Sequence, residues 1–456
     1  MGSLEKSTSQ VLAEALVDAH QNYTIKNPLS KAQNERACEY LPGGNTRTVL
    51  HTTPFPLTMS SGSGPTLTTL DGDTYLDFLG EYTAGIYGHN HPAIKSAIST
   101  AVESGWNYGA HNAHEAKFAQ LIVSRFPALE LVRFVNSGTE ANMMALATAL
   151  AYTDKTQILL FTKGYHGSTI SGRTPSTKKS INLPHNFLVG TYNDVAGTES
   201  LVASLDNPKE SLAAILVEPM LGSGGCYAAT REFLHTLRRL ATENNALLIF
   251  DEVMTSRLSY NGLGATTGVT PDLMTLGKWV GGGMSFGLFG GKREIMQLYD
   301  PRSGRLEHPG TFNNNVFTTR AGIAGCQLLT QDVIDTLNKT GDFMTSRVEE
   351  VLTSYGISGT IPTQPILDDS LHSVSHPDRP PKMFIKGVGS LMAIHFAGPD
   401  RDVLQGLFYH AMLDRGIYLA QRGFIALNIL ITEEHVARFV AALEDFVNSW
   451  AKTLRW

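Results

Sequence analysis

The sequence predicts an α/β protein with a mainly parallel central sheet, crossover helices and a smaller α+β domain. The first observation is length, because 456 residues are more than one ordinary hydrophobic core accommodates. The second is an alternation, from about residue 132 onward, of short apolar runs with segments of helical periodicity. Strands that alternate with helices along a chain form parallel sheets with helices on their faces.

Several elements can be predicted in chain order. An amphipathic helix opens the chain, since apolar residues from Val11 to Ala19 recur at helical spacing. Thr230 to Leu240 has one apolar face and is predicted as a crossover helix, and Thr432 is predicted to cap a final helix whose apolar stripe ends at Trp450. The buried strands are predicted at 132–135, 158–161, 214–217, 247–250 and 274–276.

The chain is predicted to divide into three parts. Residues 1–73 form a helix and loop segment that packs with the small domain, residues 74–330 form the large domain, and residues 331–456 form the small domain. The stretch 358–381 is rich in Pro, Ser and Asp, so it is predicted to be an exposed insertion or loop.

Composition excludes several classes of protein. The formal net charge is −6 without a long basic run, which argues against nucleic acid as a main partner. Cys38, Cys226 and Cys326 are scattered and predict neither a disulfide framework nor a metal site. No apolar run has the length of a membrane span, and the N-terminus has no signal-peptide core. A cytoplasmic protein without a membrane partner is therefore expected.

The ends of the predicted strands carry the chemically informative residues, because ligands of open α/β sheets bind there. Asn136-Ser-Gly-Thr-Glu-Ala-Asn142 joins the strand 132–135 to an Ala-rich helix, and small residues at a helix N-terminus suit a phosphate. An ordinary N-cap with a tight turn would explain the same residues.

Two further predicted strands are followed by an acidic residue and by a lysine. Asp251 follows the strand 247–250; it is either a solvated loop acid or a buried carboxylate that pairs with a pyridinium nitrogen. Lys278 lies between the strand 274–276 and Gly281-Gly282-Gly283. A lone lysine is usually a solvated charge, but desolvation here would lower its pKa and leave a nucleophilic amine, as Schiff-base chemistry requires.

The order of these motifs resembles that of the class III, or subgroup II, aminotransferases. The resemblance runs from about Leu41 to the C-terminal helix. It rests on 136–142, Gly164-Tyr-His-Gly167, Val217-Glu-Pro219, Asp251-Glu-Val-Met-Thr255 and Lys278 with its glycines. It implies a homodimer of fold type I, in which 74–330 binds pyridoxal 5′-phosphate and Lys278 forms the Schiff base.

The resemblance also implies a role for each cofactor-binding position. Ser137, Gly138 and Thr139 would hold the phosphate. Tyr165 would stack on the pyridine ring, although an isolated Tyr is more often a core residue, and Asp251 would pair with the ring nitrogen. The remaining implied positions are the opposite ring face (Val253 or Met254), a supporting acid (Glu218) and a contact to the neighbouring subunit's phosphate (Thr311).

Within the class, the chain resembles the glutamate-1-semialdehyde aminomutase branch and, inside it, the β-amino acid (β-phenylalanine) aminotransferases. The residues that carry this resemblance include Gly43-Gly-Asn-Thr-Arg47, 81–89, 254–257 and Arg422-Gly-Phe424. Arg47 is either a surface charge or a clamp that binds the substrate carboxylate through two parallel hydrogen bonds. By the same resemblance, Arg422 would bind the carboxylate of the acceptor, and Tyr82 and Tyr87 would line a pocket for an aryl group.

The expected activity is transfer of the amino group of a 3-amino-3-aryl or 3-amino-3-alkyl propanoate to a 2-oxo acid such as 2-oxoglutarate or pyruvate. The alternatives are an aminomutase-like isomerase, which shares the cofactor residues, and a broad ω-amine transaminase. A binding or regulatory protein on a degenerate scaffold is a further alternative, but the presence of both Lys278 and Asp251 argues against it.

Overall fold

The computed structural model describes residues 6–172, 181–303, 305–357 and 381–455. The predicted exposed stretch 358–381 therefore lies outside the described residues, apart from its last residue.

The chain begins with two helices and an antiparallel sheet. Helix α1 (Thr8–Lys26) confirms the predicted opening helix; Ser7 caps it, with Gln10 closing a capping box. Helix α2 (Pro28–Cys38) follows, and then strands β1 (Met59–Ser63), β2 (Thr66–Thr69) and β3 (Thr74–Asp77). The next two helices are α3 (Pro92–Ser104) and α4 (Glu115–Arg125).

The central part of the chain alternates strands with helices, as predicted. Its elements are β4 (Leu131–Val135), α5 (Gly138–Thr153), β5 (Gln157–Phe161), β6 (Asn186–Gly190), α6 (Val195–Ala203), α7 (Pro208–Ser211), β7 (Leu212–Val217), β8 (Met220–Leu221), β9 (Tyr227–Ala228), α8 (Arg231–Glu243), β10 (Leu247–Asp251), β11 (Leu273–Gly277), β12 (Gly287–Gly291), α9 (Arg293–Met296) and α10 (Val316–Leu328).

These strands form a seven-stranded sheet in the order β4-β12-β11-β10-β7-β5-β6. Each of the five predicted strands overlaps an observed strand, while β6 and β12 were not predicted. β12 runs antiparallel to both of its neighbours, and the other pairings are parallel. Because β4 and β11 are both antiparallel to β12, the carboxyl ends of β4, β10 and β11 lie at the same edge of the sheet.

The last part of the chain is mixed α and β. Its elements are α11 (Gln331–Ser354), β13 (Met383–Val388), β14 (Leu391–Phe396), α12 (Arg401–Asp414), β15 (Ile417–Tyr418), β16 (Phe424–Ala426) and α13 (Glu433–Leu454). Strands β13, β14 and β16 form a three-stranded sheet, and Thr432 caps α13 as predicted.

The N-terminal and C-terminal parts pack together. β15 pairs in parallel with β3, with Ile417 opposite Leu76, and one apolar cluster contains both Leu12 and Leu454. This packing fits the predicted association of residues 1–73 with the small domain, but the three domain boundaries themselves stay a prediction.

Among the described helices, none is both long and apolar enough to cross a bilayer. Cys38, Cys226 and Cys326 are free thiols. The expected cytoplasmic location stays a prediction.

Candidate active site

The N-terminus of α5 forms a cradle at the end of β4. Ser137 caps the helix, its Oγ accepting a hydrogen bond from the Glu140 amide (3.1 Å). Glycine is required next, since a Cβ at Gly138 would lie 2.8 Å from Val253 Cγ1. The amides of Gly138 and Thr139 have no carbonyl one turn earlier in the helix to which they could donate, so they are available to an anion beside the positive end of the helix dipole.

The loop after β5 closes one side of this cradle. Gly167 has φ +124°, and a Cβ there would lie 2.5 Å from Thr139 Oγ1. The same loop carries Tyr165, whose ring is exposed and whose amide donates to Glu218 Oε1 (3.0 Å). The loop that carries Tyr165 therefore lies against Thr139, at the N-terminus of α5.

Asp251 is the last residue of β10 and is 4% exposed. Its Oδ2 accepts from Asn142 Nδ2 (2.8 Å) and contacts His166 Nδ1 (2.8 Å), while its Oδ1 accepts from the Val253 amide (3.0 Å). Asn142 in turn accepts from Thr275 Oγ1 (2.7 Å). The structure therefore shows a buried carboxylate in a hydrogen-bond network, not a solvated loop acid.

His166 and Asn142 are site residues to which the sequence reasoning assigned no role. Both lie within motifs that carried the family resemblance, and both are buried beside Asp251. The only available signal was their position within those motifs, because nothing in the local sequence shows that residues 24 positions apart converge on one carboxylate.

Glu218, just after β7, is a second buried acid. It accepts hydrogen bonds from the amides of Tyr165 (3.0 Å) and Gly222 (2.9 Å). Burial raises the pKa of Glu218 to about 7; the neighbouring Asp251 charge also raises it, and His166 lowers it. Its hydrogen bonds connect the Tyr165 loop to the end of β7.

Val253 and Met254 differ in position. The Val253 side chain lies against Gly138 and Gly277, at the cradle. Met254 is buried in an apolar cluster with Leu79 and Phe424. Of the two residues predicted to pack on a ring face, the structure brings Val253 to the cradle.

Lys278 follows β11 directly and has a left-handed backbone, with φ +56°. Burial lowers the pKa of its amine to about 8, although the charges of Asp251 and Glu218 act in the opposite direction. Among the residues that the structure describes, none forms a hydrogen bond or an ion pair with this amine. Lys278 therefore has the lowered pKa that a nucleophilic amine needs.

Two arginines from distant segments converge on the Tyr82 ring. The Arg47 and Arg422 guanidinium carbons lie 5.5 Å and 5.4 Å from its centroid. On the same ring, Phe424 stacks at 6.0 Å with an interplanar angle of 18°. Arg47 also forms an ion pair with Glu81 (2.5 Å), and Arg422 Nη1 donates to Ser223 Oγ (3.3 Å). Glu81 was not predicted as a site residue.

Tyr87 does not belong to this group. It is 2% exposed and packs in the largest apolar cluster, and its hydroxyl donates to the Trp279 carbonyl (2.9 Å). The expectation that Tyr87 lines a substrate pocket is corrected, because its polar end is used to support the backbone beside Lys278.

Thr311 lies in an exposed turn after α9. The turn is hydrogen-bonded to the residue that follows β4, since Asn136 Nδ2 donates to Asn313 Oδ1 (3.0 Å). Within the described residues of this chain, Thr311 does not join the cluster around Lys278. In the same described part, no group of three or more His, Cys, Asp or Glu residues is arranged to hold a metal ion.

The residues at this sheet edge match the three functional groups of pyridoxal 5′-phosphate. The N-terminus of α5 suits the phosphate, Asp251 suits a protonated ring nitrogen, and the amine of Lys278, which has no partner among the described residues, suits the aldehyde. Sheet and site together define a pyridoxal-phosphate enzyme of fold type I.

Comparison with known proteins identifies the family. The profile described as Aminotransferase class-III matches residues 49–364. The chain belongs to the class III aminotransferases, and it is a pyridoxal-phosphate-dependent transaminase that uses an amino donor and an oxo acid.

Its relatives include both a transaminase and an isomerase. The β-phenylalanine transaminase of Variovorax paradoxus is 41% identical over 453 residues, which is 96% of this chain and 97% of the relative. The glutamate-1-semialdehyde 2,1-aminomutase of Methanosarcina acetivorans is 33% identical over 418 residues, covering 87% and 92%.

Solved structures agree with these matches. The β-phenylalanine aminotransferase of Variovorax paradoxus superposes with a TM-score of 0.88 at 40% identity, covering 97% of this chain and 99% of that one. An ω-transaminase of Sphaerobacter thermophilus gives a TM-score of 0.82 at 33% identity, covering 93% and 98%.

Proposed function

We propose that this transaminase moves the amino group of a β-amino acid, a 3-amino-3-aryl or 3-amino-3-alkyl propanoate, to a 2-oxo acid such as 2-oxoglutarate or pyruvate. The observation that carries the proposal is the convergence of Arg47 and Arg422 on the Tyr82 ring. Two guanidinium groups and an aromatic ring can bind the carboxylate of the donor, the carboxylate next to the oxo group of the acceptor, and an aryl or alkyl group. The activity named for the 41% identical relative supports the same reading.

Each side chain has a proposed role in holding the cofactor. Ser137, Gly138 and Thr139 bind its phosphate, and Asp251 pairs with its ring nitrogen while Asn142 and His166 fix that carboxylate. Tyr165 and Val253 flank the ring, and Glu218 supports the Tyr165 loop. When bound, pyridoxal phosphate supplies an aldehyde carbon that accepts amino groups and a ring that withdraws electrons from the substrate carbon.

Lys278 is proposed to have two roles. Its amine would hold the aldehyde carbon of the cofactor, and the same amine would take a proton from the substrate carbon as a general base. A pKa of about 8 leaves part of its population neutral near pH 7, so the amine can accept a proton there.

The two arginines are proposed to divide the substrates between them. Arg47 binds the carboxylate of the β-amino acid, and Arg422 binds the carboxylate of the 2-oxo acid. The Tyr82 ring centroid lies within 5.5 Å of both guanidinium carbons, and the ring contributes an apolar surface to the aryl or alkyl group.

Arg47→Ala is expected to lose activity toward 3-amino acids and to retain activity toward amines without a carboxylate. The loss of one charge-assisted bidentate contact costs roughly 1.5–3 kcal/mol, or about one to two decades in kcat/KM. Arg422→Ala should instead weaken the half-reaction with 2-oxo acids. The two half-reactions can be followed separately through the cofactor's absorbance.

The controls for this experiment come from the same chain. Arg47→Lys keeps the charge but loses the planar fork of the guanidinium, so its kcat/KM for 3-amino acids should lie between those of the parent and of Arg47→Ala. Arg401→Ala removes an exposed arginine elsewhere and should behave as the parent. An Arg47→Ala variant that keeps full activity with 3-amino acids would contradict the β-amino acid proposal and leave a broad ω-amine transaminase.

An isomerase is the second candidate, because a 33% identical relative is named as a 2,1-aminomutase. An aminomutase keeps the amino group on one molecule, whereas a transaminase needs a second substrate. Turnover of a 3-amino acid only when a 2-oxo acid is added supports the transaminase, and turnover without one supports the isomerase.

We further propose a homodimer in which Thr311 reaches the cofactor phosphate of the neighbouring subunit. Thr311 is exposed, and the large aromatic residues Trp106, Tyr108 and Phe312 are exposed near it; Trp106 contacts α10 through the Phe317 ring. Thr311→Ala should weaken cofactor retention roughly tenfold on dialysis, since it removes a hydrogen bond to a charged group. A fully active monomer in sedimentation would contradict the shared site.

A further inference from the structure

The Arg47 guanidinium group, which is proposed to bind the substrate carboxylate, forms an ion pair with Glu81. Arg47 Nη1 lies 2.5 Å from Glu81 Oε1, and the two side chains are 44% and 53% exposed. The pair therefore lies open to solvent at the site, where a ligand can reach it. A carboxylate that binds Arg47 through both of its nitrogens has to displace Glu81.

The backbone under Glu81 is fixed in an unusual conformation. Residues Gly80–Thr83 all have positive φ, at +53°, +46°, +51° and +82°. Asp77 Oδ1 accepts from the amides of Leu79 (2.9 Å) and Gly80 (3.0 Å), and a Cβ at Gly80 would lie 2.5 Å from the Ala426 carbonyl oxygen. A strained conformation persists only where its surroundings over-determine it, and such conformations cluster at functional sites.

The side chain of Tyr82, the next residue after Glu81, is held in place as well. The Tyr82 hydroxyl donates to the Val49 carbonyl (3.2 Å), and its ring stacks on Phe424. Glu81 is thus placed beside Arg47 by its backbone, and only its side chain is free to leave the ion pair.

We propose that Glu81 is a specificity-determining residue that competes with the donor carboxylate for Arg47 and neutralises Arg47 when a ligand brings no carboxylate to that position. This inference rests on the proposed function, since it takes Arg47 to be the donor clamp. Pyruvate held by Arg422 is one such ligand, because it has a single carboxylate, and an amine without a carboxylate is another. In both cases Glu81 keeps the Arg47 charge paired beside the apolar ring of Tyr82.

The competition has opposite consequences for two kinds of ligand. A carboxylate ligand has to break the Arg47–Glu81 pair before it binds, so removal of the Glu81 charge should strengthen its binding. A neutral ligand of the same shape gains nothing from that removal. The size of the gain is limited, because exposed ion pairs are screened by solvent, and roughly two- to fivefold is expected.

The test compares Glu81→Gln with the parent, both as the cofactor-loaded enzyme. Calorimetric titration uses 3-phenylpropanoate, which lacks the amino group and cannot be transaminated, and the neutral 3-phenylpropanamide. Glu81→Gln is expected to bind the carboxylate roughly two- to fivefold more tightly and the amide no more tightly. With 3-amino acids the same variant should lower KM while kcat stays within about twofold.

Two controls isolate the pair. Glu444→Gln removes the same charge from an exposed face of α13 and should leave both affinities at the parent values. In an Arg47→Ala background, Glu81→Gln should give no gain, because its effect requires the guanidinium.

Three results would overturn the inference: no gain in carboxylate affinity with Glu81→Gln, an equal gain for the amide, or the same gain in the Arg47→Ala background. Its failure can be told from that of the proposed function. If Glu81→Gln gains carboxylate affinity but the enzyme does not turn over 3-amino acids, the proposed substrate is rejected and the competition of Glu81 for Arg47 stands. If turnover of 3-amino acids depends on Arg47 but Glu81→Gln gains no affinity, the proposed substrate stands and the competition is rejected.

Discussion

Lys278→Ala is expected to abolish transaminase turnover while the protein still folds. In the proposed mechanism the variant loses the general base, which alone accounts for about 10²- to 10⁴-fold in rate, and it also loses the amine that is proposed to attach the cofactor. Folding should not suffer. Because burial lowers the pKa of Lys278 to about 8, its charged form opposes folding at pH 7, and alanine removes that charge. Single-turnover absorbance and thermal melting of the cofactor-free protein measure the two effects.

The matched control is Lys278→Arg, which keeps a cation of similar length but cannot supply a neutral amine near pH 7. It should be as inactive as Lys278→Ala. Small amines such as methylamine should restore slow turnover to the alanine variant and not to the arginine variant, whose side chain fills the space. Full activity in Lys278→Ala would contradict the mechanism.

Asp251→Asn is expected to lower kcat by about 10²- to 10³-fold, the range found when one preorganised electrostatic partner is removed from a water-poor site. A neutral amide cannot stabilise a protonated ring nitrogen. The amide also presents an N–H toward either the Val253 amide or the Asn142 and His166 side, where the carboxylate accepted hydrogen bonds. The free energy of unfolding should therefore fall by about 1–3 kcal/mol.

Asp272→Asn separates the effect on rate from the effect on stability. Asp272 is also buried, lies just before β11 and pairs with Arg238 (2.7 Å) and Lys292 (2.6 Å). Its amide variant should lose stability and keep kcat in the folded fraction. An Asp251→Asn variant whose kcat is within about twofold of the parent would show that this carboxylate does not act on the ring.

Much of the fold could be predicted because the chain's local patterns agree with its tertiary structure. Four of the five predicted strands become fully buried, whereas 132–135 contains Arg133 and is only partly buried. Thr432 caps α13 as predicted. Strand β12 could not be predicted, because its Gly-Leu-Phe-Gly-Gly sequence has weak strand propensity. Its glycines are required by close contacts, since a Cβ at Gly287 would lie 2.1 Å from the Ser137 carbonyl oxygen. Strand β6 was not predicted because it is not a continuous buried run: only its last residue, Gly190, is buried.

Ser137, Asp251 and Lys278 were predicted from their positions at strand ends, and the structure places all three at the same edge of the sheet, while their roles stay a prediction. Glu81 and His166 could not be found, because their roles depend on partners 34 and 85 positions away. Tyr87 was misread for a related reason. In the sequence it is one aromatic residue of a substrate-like segment, and only the structure shows its hydroxyl on the Trp279 carbonyl.

The residues proposed to hold the cofactor and those proposed to bind the substrate come from different segments of the chain, and this separation has an evolutionary consequence. The residues proposed to hold the cofactor within one subunit come from 137–278, whereas Arg47, Glu81, Tyr82 and Arg422 come from segments before and after that block. Selection can therefore change the substrate loops without altering the residues of the block between them that are proposed to hold the cofactor. The same arrangement makes residues 45–50, 80–83 and 420–424 the natural targets for directed evolution of new amine donors, since a library confined to them leaves every cofactor ligand in place.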